Sequence, residues 1–482
     1  MFSLLIFMLL TISFPRLWGQ NQTSDLSPIF PPDSLPFTIS ITLADFQLPS
    51  DNLNAFGIQS FAWAVYQGKA LLIAGRTNGL HGFDIGDNNF PPRQQNTIVY
   101  VVDPDSQTVA TKSLLDPSSQ LSQSQIDALS VTASQYFQVN NTLYIVGGYG
   151  VDTPTGQFST KSTITAIDVP GLMSWVESGN GSAAKYVRQN THPLIQVAGG
   201  FLTQVSPHQP FLLVFGQNFP GFYSAGSNGI YTQQVRIFKI LDNGVDLYIK
   251  PEKQFDPNPN YRRRDISVFP IMQKTATSYV PAVVALSGVF TPNALAGIWT
   301  VPVMIKGDGA SSMADPADPN TFKQGMNNYD CARAGLYSKS TNDMYLLSFG
   351  GISYLQVSGG MIVPDEELPF TNSVTTVKID ANGNFSQYLM ANQYPTILSQ
   401  FTHPGFPLLF GAEARFIPAN HAPLFPNGVF SFDDLSSSPT LLGYIVGGIQ
   451  STLGNTMDIA DSAASPYIFN VYIQKRYTTI GQ

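Results

Sequence analysis

The chain has 482 residues, of which 24 are Lys or Arg and 32 are Asp or Glu, giving 12% charged residues and a formal net charge of −8. An average soluble domain carries about a quarter charged residues. With 40 Gly, 35 Pro and 12% aromatics, this composition excludes helix bundles, coiled coils and charged disordered tails, and its scattered basic residues exclude a nucleic-acid surface.

In chain order, residues 1–19 read as a secretory signal: an apolar stretch over 4–14, then Pro15, Arg16 and the small Gly19 before a cleavage point. Eleven apolar residues fall short of the roughly 20 that span a bilayer, so the expectation is a secreted or periplasmic protein with no membrane span. Residues 20–36 form an N-terminal extension. The single cysteine, Cys331, allows no intramolecular disulfide, so core burial alone must hold the fold.

From residue 37 onward one pattern recurs. Six apolar, β-rich runs end at Gly75, Gly148, Gly216, Gly288, Gly351 and Gly448, with spacings of 73, 68, 72, 63 and 97 residues. Before each lies a shorter strand-like stretch (60–66, 134–139, 201–205, 266–272, 332–337 and 414–418). After each, beyond a loop of variable length, comes an alternating strand (97–102, 163–168, 233–241, 297–305, 373–380 and 467–475). A weaker fourth strand follows in places, as at 108–115 and 384–390.

Six such units predict an all-β chain: a single six-bladed β-propeller of four-stranded antiparallel blades, the radial solution to exposed sheet edges. The last unit lacks a fourth strand, and residues 37–46 lack a partner, so the N-terminal strand is expected to close the last blade. Two β-sandwiches are the alternative, with a linker at 254–260, but the repeat runs through that stretch.

The double glycines Gly147-Gly148, Gly350-Gly351 and Gly447-Gly448, with Asp168 and Trp175 after the second of the six runs, make residues 37–482 resemble kelch-type β-propellers. The resemblance implies a fold and little about activity, because propellers host unrelated functions.

The loops 76–96, 149–162, 217–232, 352–372 and 449–466 are long and rich in Gly, Asn and aromatics, so one face should carry the binding residues. Gln59, Asp127, Arg263, Arg264, Asp265, Asp330, Arg333, Glu413 and Arg415 are read as entering the innermost strands at the channel mouth. Two readings follow. In the first, the face recognises a glycan or an extracellular protein without catalysis, through Arg264, Arg333, Arg415, Tyr149, Tyr223 and Tyr354, with Phe83, Asn218 and Phe222 nearby. The protein is then a monomeric scaffold.

In the second reading the protein is an enzyme on an acidic sugar, epimerase- or lyase-like. The arginines hold a carboxylate and Glu413 or Asp265 moves a proton. This is similar in outline to the secreted six-bladed sialic-acid epimerases, without a residue-by-residue match. It requires two of the arginines and one acid in a single solvent-reached pocket. The bland alternative is that the acids and arginines are ion pairs that tie the blades together.

No cofactor or metal is expected. His81, His192, His208, His403 and His421 are scattered, with none at metal-ligand spacing. The Asp/Asn stretches 84–89 and 315–320 suit Asx turns as well as calcium. Cys331 near Tyr329 evokes the copper-radical oxidases, but no histidine pair accompanies it.

Overall fold

The computed structural model describes residues 26–46, 56–224, 227, 229–274, 279–286, 288–292, 297–400 and 402–476; the signal read at 1–19 lies outside the described residues. The chain folds as an all-β propeller of four-stranded antiparallel blades. Among the described residues five sheets are four-stranded, one is six-stranded and four short ones are two-stranded. In chain order the first sheet is Ala62–Tyr66, Lys69–Ile73, Ile98–Asp103 and Thr108–Ser113. The second is Gln135–Val139, Thr142–Val146, Thr163–Asp168 and Val187–Thr191. The third and fourth repeat this meander from Phe201–Thr203 and from Ser267–Lys274.

The fifth sheet carries the same meander, from Ala332–Ser338 to Phe385–Leu389, with one extra strand at each edge. Ile29–Phe30 adds in parallel outside, and Phe430–Ser431 adds in parallel inside. In the sixth sheet Arg415–Pro418, Thr440–Val446 and Ile468–Lys475 are completed by Phe37–Leu43, which pairs antiparallel with the last strand from Phe37↔Lys475 to Leu43↔Phe469. The N-terminal strand therefore fills the outer edge of the last sheet, as its lack of a local partner implied.

Six apolar clusters lie between successive sheets. Leu71 and Ile73 of the first sheet meet Leu143 and Ile145 of the second, and the series runs round to Leu72 and Tyr100, which meet Ile417, Val446 and Ile468 of the sixth. The alternating strands produce this directly, because successive side chains point into opposite junctions.

The glycine that ends each run has positive φ at all six positions, from 84° at Gly148 to 107° at Gly288. Its neighbour shows what it is for. The Gly75 amide donates to Val131 O at 2.8 Å and the Gly448 amide to Ile58 O at 2.8 Å, each reaching the next sheet. A Cβ on Gly75 would lie 2.3 Å from Gln59 O, so a side chain cannot fit. The preceding position is less demanding: Ala74 and Phe215 occupy it, also at positive φ, which is why the double glycine is incomplete.

Among the described residues two α-helices fall outside the strand pattern. Helix α1, Gln123–Leu129, opens with a capping box between Ser122 and Gln125. Helix α2, Val169–Ser178, starts at N-cap Asp168 and stops at the left-handed Gly179. Trp175, read above as a kelch mark, lies on α2 fully buried between the first two sheets, with Lys112 Nζ 4.6 Å above its ring.

Candidate functional site

At the entry to each innermost strand the chain turns through one left-handed residue. The six are Ser60 (φ 55°), Ala133 (50°), Gly199 (67°), Asp265 (50°), Asp330 (40°) and Glu413 (57°). Backbone hydrogen bonds link them around the axis. Ser60 N donates to Glu413 O (3.2 Å), Glu413 N to Asp330 O (2.7 Å), Asp265 N to Gly199 O (2.8 Å) and Gly199 N to Ala133 O (2.9 Å). Ala133 N donates to Ser60 Oγ at 2.9 Å. Three successive sheets thus place a carboxylate on one ring, and the other three place small side chains there.

This ring is the floor of a cavity of about 140 Å³. The residues just before the ring positions (Gln59, Thr132, Ala198, Arg264, Tyr329 and Ala412) all line it, as do Tyr149, Gln217, Ile352 and Ile449, which follow the run-ending glycines. The long loops supply the wall: Leu80, His81, Phe90, Phe219 and Tyr223. The expectation that the long-loop face surrounds the channel mouth agrees with this placement.

The wall is an aromatic cluster. The His81 ring lies 4.8 Å from Phe83 and 5.0 Å from both Phe90 and Tyr223. His81 Nδ1 faces Gly82 O at 2.8 Å, which assigns the ring proton to Nδ1 and leaves Nε2 an acceptor. Burial, reinforced by the Arg264 and Arg76 charges, pushes its pKa down to about 4, so the ring is neutral. Tyr149 OH donates to Gly221 O (2.7 Å) and accepts from Tyr223 N (3.0 Å), which pins one loop to another.

The floor is charged. Arg264 Nε lies 3.6 Å from Asp265 Oδ2, its Nη2 donates to Tyr223 OH at 3.1 Å, and its guanidinium stacks 4.2 Å from Phe290. Arg415 reaches Asp330 Oδ1 at 3.3 Å and Glu413 Oε2 at 3.5 Å. The acid side chains keep about a fifth of their surface open: 23% for Asp265, 17% for Asp330 and 21% for Glu413. Burial raises the Asp265 carboxyl to about 6 despite Arg264. Burial and then the neighbouring Asp330 raise Glu413 well above the carboxylate range, despite Arg415.

Of the residues singled out from sequence, Arg264, Tyr149, Tyr223, Asp265 and Glu413 converge on this cavity. Arg333 and Arg415 do not open to it; they line a smaller cavity below the ring, shared with Asp265 and Asp330. Tyr354 lines neither and is buried beside Met326 and Leu355. Asp127 is corrected: it lies on α1, where it accepts from Thr153 N and Thr153 Oγ1 at 2.7 Å. Arg263 is also corrected, being 0% exposed and 4.7 Å from the Trp299 ring, away from the mouth. The Asp/Asn stretches form turns: Asn89 Oδ1 accepts from Asp84 N, and Asp315 Oδ1 from Ala317 N. Among the described residues no group of three or more His, Cys, Asp or Glu is arranged to hold a metal ion.

His81, Phe90, Phe219 and Phe290 were missed as site residues. His81 looked isolated because its partners come from other loops. The lining at Thr132, Ala198 and Tyr329 was legible by aligning the six units on their first strands.

No protein-family profile and no curated protein matches the chain. Among solved structures, it is similar to one titled "Structure of YjhT", with 9% sequence identity and a TM-score of 0.43, over 87% of this chain and 98% of that one.

Proposed function

We propose that the chain is a six-bladed, kelch-like propeller, with the six-stranded sheet as its fifth blade, that works as a monomeric recognition module outside the cytoplasm. Its channel-mouth cavity takes one ring-sized group of a glycan or of an extracellular protein. The observation that carries this reading is the cavity itself: walls of His81, Phe90, Tyr149 and Tyr223 above a floor of carboxylates. At about 140 Å³ it is smaller than the usual drug-sized pocket of about 300–1,000 Å³. Flat rings offer stacking area, and the floor carboxyls offer hydrogen bonds to hydroxyls.

A glycan array and a pull-down from extracellular protein, each run with the full chain and with Tyr223→Ala, test the proposal. Binding by the full chain that Tyr223→Ala loses, with its unfolding midpoint near the parent's, is the expected result. Silence of the full chain in both assays counts against recognition.

Catalysis on an acidic sugar, the second reading, requires two of the arginines beside an acid in one open pocket. Only Arg264 opens to the upper cavity, while Arg333 and Arg415 lie below the ring. What still favours that reading is the pair of carboxyls on the floor. Burial and the neighbouring Asp330 push Glu413 well above its ordinary value, while Asp265 is raised to about 6, so two carboxyls of different proton affinity share one floor. Incubating uronic and ulosonic acids with the protein in D₂O distinguishes the two readings. Deuterium incorporation that Glu413→Gln abolishes supports catalysis, and none in any sugar rejects it.

A further inference from the structure

Below the carboxylate ring the channel narrows to a second cavity of about 30 Å³, where two guanidinium groups meet. Arg333 gives Nε to Val268 O at 2.8 Å and Nη1 to Cys331 O at 3.3 Å. Its guanidinium lies 4.9 Å from the Phe201 ring centroid. Among the described residues it makes no ion pair, and Asp330 acts on it only from beyond ion-pair distance. Arg415, whose charge repels that of Arg333, is divided between Asp330 and Glu413.

The acids at this level do not serve the cations evenly. Arg264 pairs with Asp265 and Arg415 with both Asp330 and Glu413, so Arg333 is the one of the three without an ion pair among the described residues. A buried charge without a counter-charge is costly. The cavity wall also holds Ser134, 7% exposed, whose Oγ has no hydrogen-bond partner among the described residues. Tyr136 lines the same space, and its phenol lies within the field of both guanidinium groups. Three acceptors face it as well: the Asp265 carboxylate, beside Arg264, the Asp330 carboxylate, tied to Arg415, and the unpartnered Gln135 Oε1.

We propose that this cavity is a halide site, in which Arg333 and Arg415 hold a chloride-sized anion and Ser134 Oγ–H and Tyr136 O–H donate to it. About 30 Å³ exceeds the roughly 10–15 Å³ that one water-sized occupant requires. The anion supplies the missing counter-charge from below the ring, so the floor of the upper cavity stays intact. This site is independent of the recognition proposed above and stands or falls separately.

The test uses the full chain. Crystals grown in bromide should give an anomalous peak between the Arg333 and Arg415 guanidinium groups. At pH 6 and constant ionic strength, the unfolding midpoint should rise saturably by a few degrees from gluconate to chloride, as for any ligand of the native state. Arg333→Gln should remove both effects, and Ser134→Ala should move the chloride dependence to several-fold higher concentration. If Arg333→Gln fails to fold, the bromide map and Ser134→Ala decide. No peak in that cavity, or a midpoint equal in chloride and gluconate, overturns the proposal.

Discussion

The backbone amide of Glu413 donates to the carbonyl oxygen of Asp330 at 2.7 Å, and the same contact brings their side-chain carboxyls against each other. Neighbouring sheets are joined at the point where their acids repel, and a proton on Glu413 relieves the repulsion.

This arrangement fixes a sign for the pH dependence. Asp265 and Glu413 both have folded pKa values above their unfolded ones, Asp265 at about 6 against 3.8. Their contribution is full below the unfolded pKa and is lost as pH rises through the folded one. For Asp265 that window runs from about pH 4 to about pH 6, with a loss on the order of 1–3 kcal/mol. Glu413→Gln carries a neutral amide at every pH. It should match the parent at pH 4 and exceed it at pH 8 in urea midpoint. A variant weaker than the parent at both pH values contradicts the assignment.

Gly75→Ala should cost more than about 2 kcal/mol, from left-handed strain plus the clash with Gln59 O. Gly86 has the same left-handed φ, 84°, but nothing within 4 Å of the added methyl group. Gly86→Ala therefore isolates the strain, and the difference between the two urea midpoints measures the close approach between sheets.

The six run-ending glycines were legible because close approach leaves no substitute, and the meander was legible because each strand is apolar toward a junction. The acids Asp265, Asp330 and Glu413 stood out in a charge-poor chain, and the ring joins them. Side-chain direction was not legible. Arg333 and Arg415 follow the ring residues by a few positions and point below it, while Arg264 precedes one and points above. Nor was α1 legible as a helix, so Asp127 was misplaced at a strand entry that belongs to Ala133.

Phe37→Ala should cost about 3–5 kcal/mol, the usual range for emptying a buried aromatic site. Phe37 is 0% exposed and packs edge-on to Tyr345 of the fifth sheet at 5.2 Å. Denaturant unfolding followed by near-ultraviolet circular dichroism measures the loss. A cost below about 1 kcal/mol shows that the N-terminal strand adds little packing.

Tyr149→Phe removes the hydroxyl that bonds both Gly221 O and Tyr223 N. The global cost should be modest, about 1 kcal/mol, as for a typical hydrogen bond. Local exchange should change more: the Tyr223 amide should exchange faster in hydrogen–deuterium exchange while strands such as Phe211–Val214 stay protected. Equal protection in both places shows that the loop is held by its ring contacts alone.

The pairing of Phe37–Leu43 with Ile468–Lys475 also imposes an order in time. During synthesis the early strand waits for a partner made more than four hundred residues later. Until residues 468–475 emerge, Phe37–Leu43 has no strand to pair with, and the cluster of Leu72, Tyr100, Val446 and Ile468 between the first and sixth sheets is incomplete. The propeller is therefore an arc through most of its synthesis and becomes a ring in one late step. A chain truncated before residue 468 should persist as that arc, prone to pairing with a second copy at its open edges.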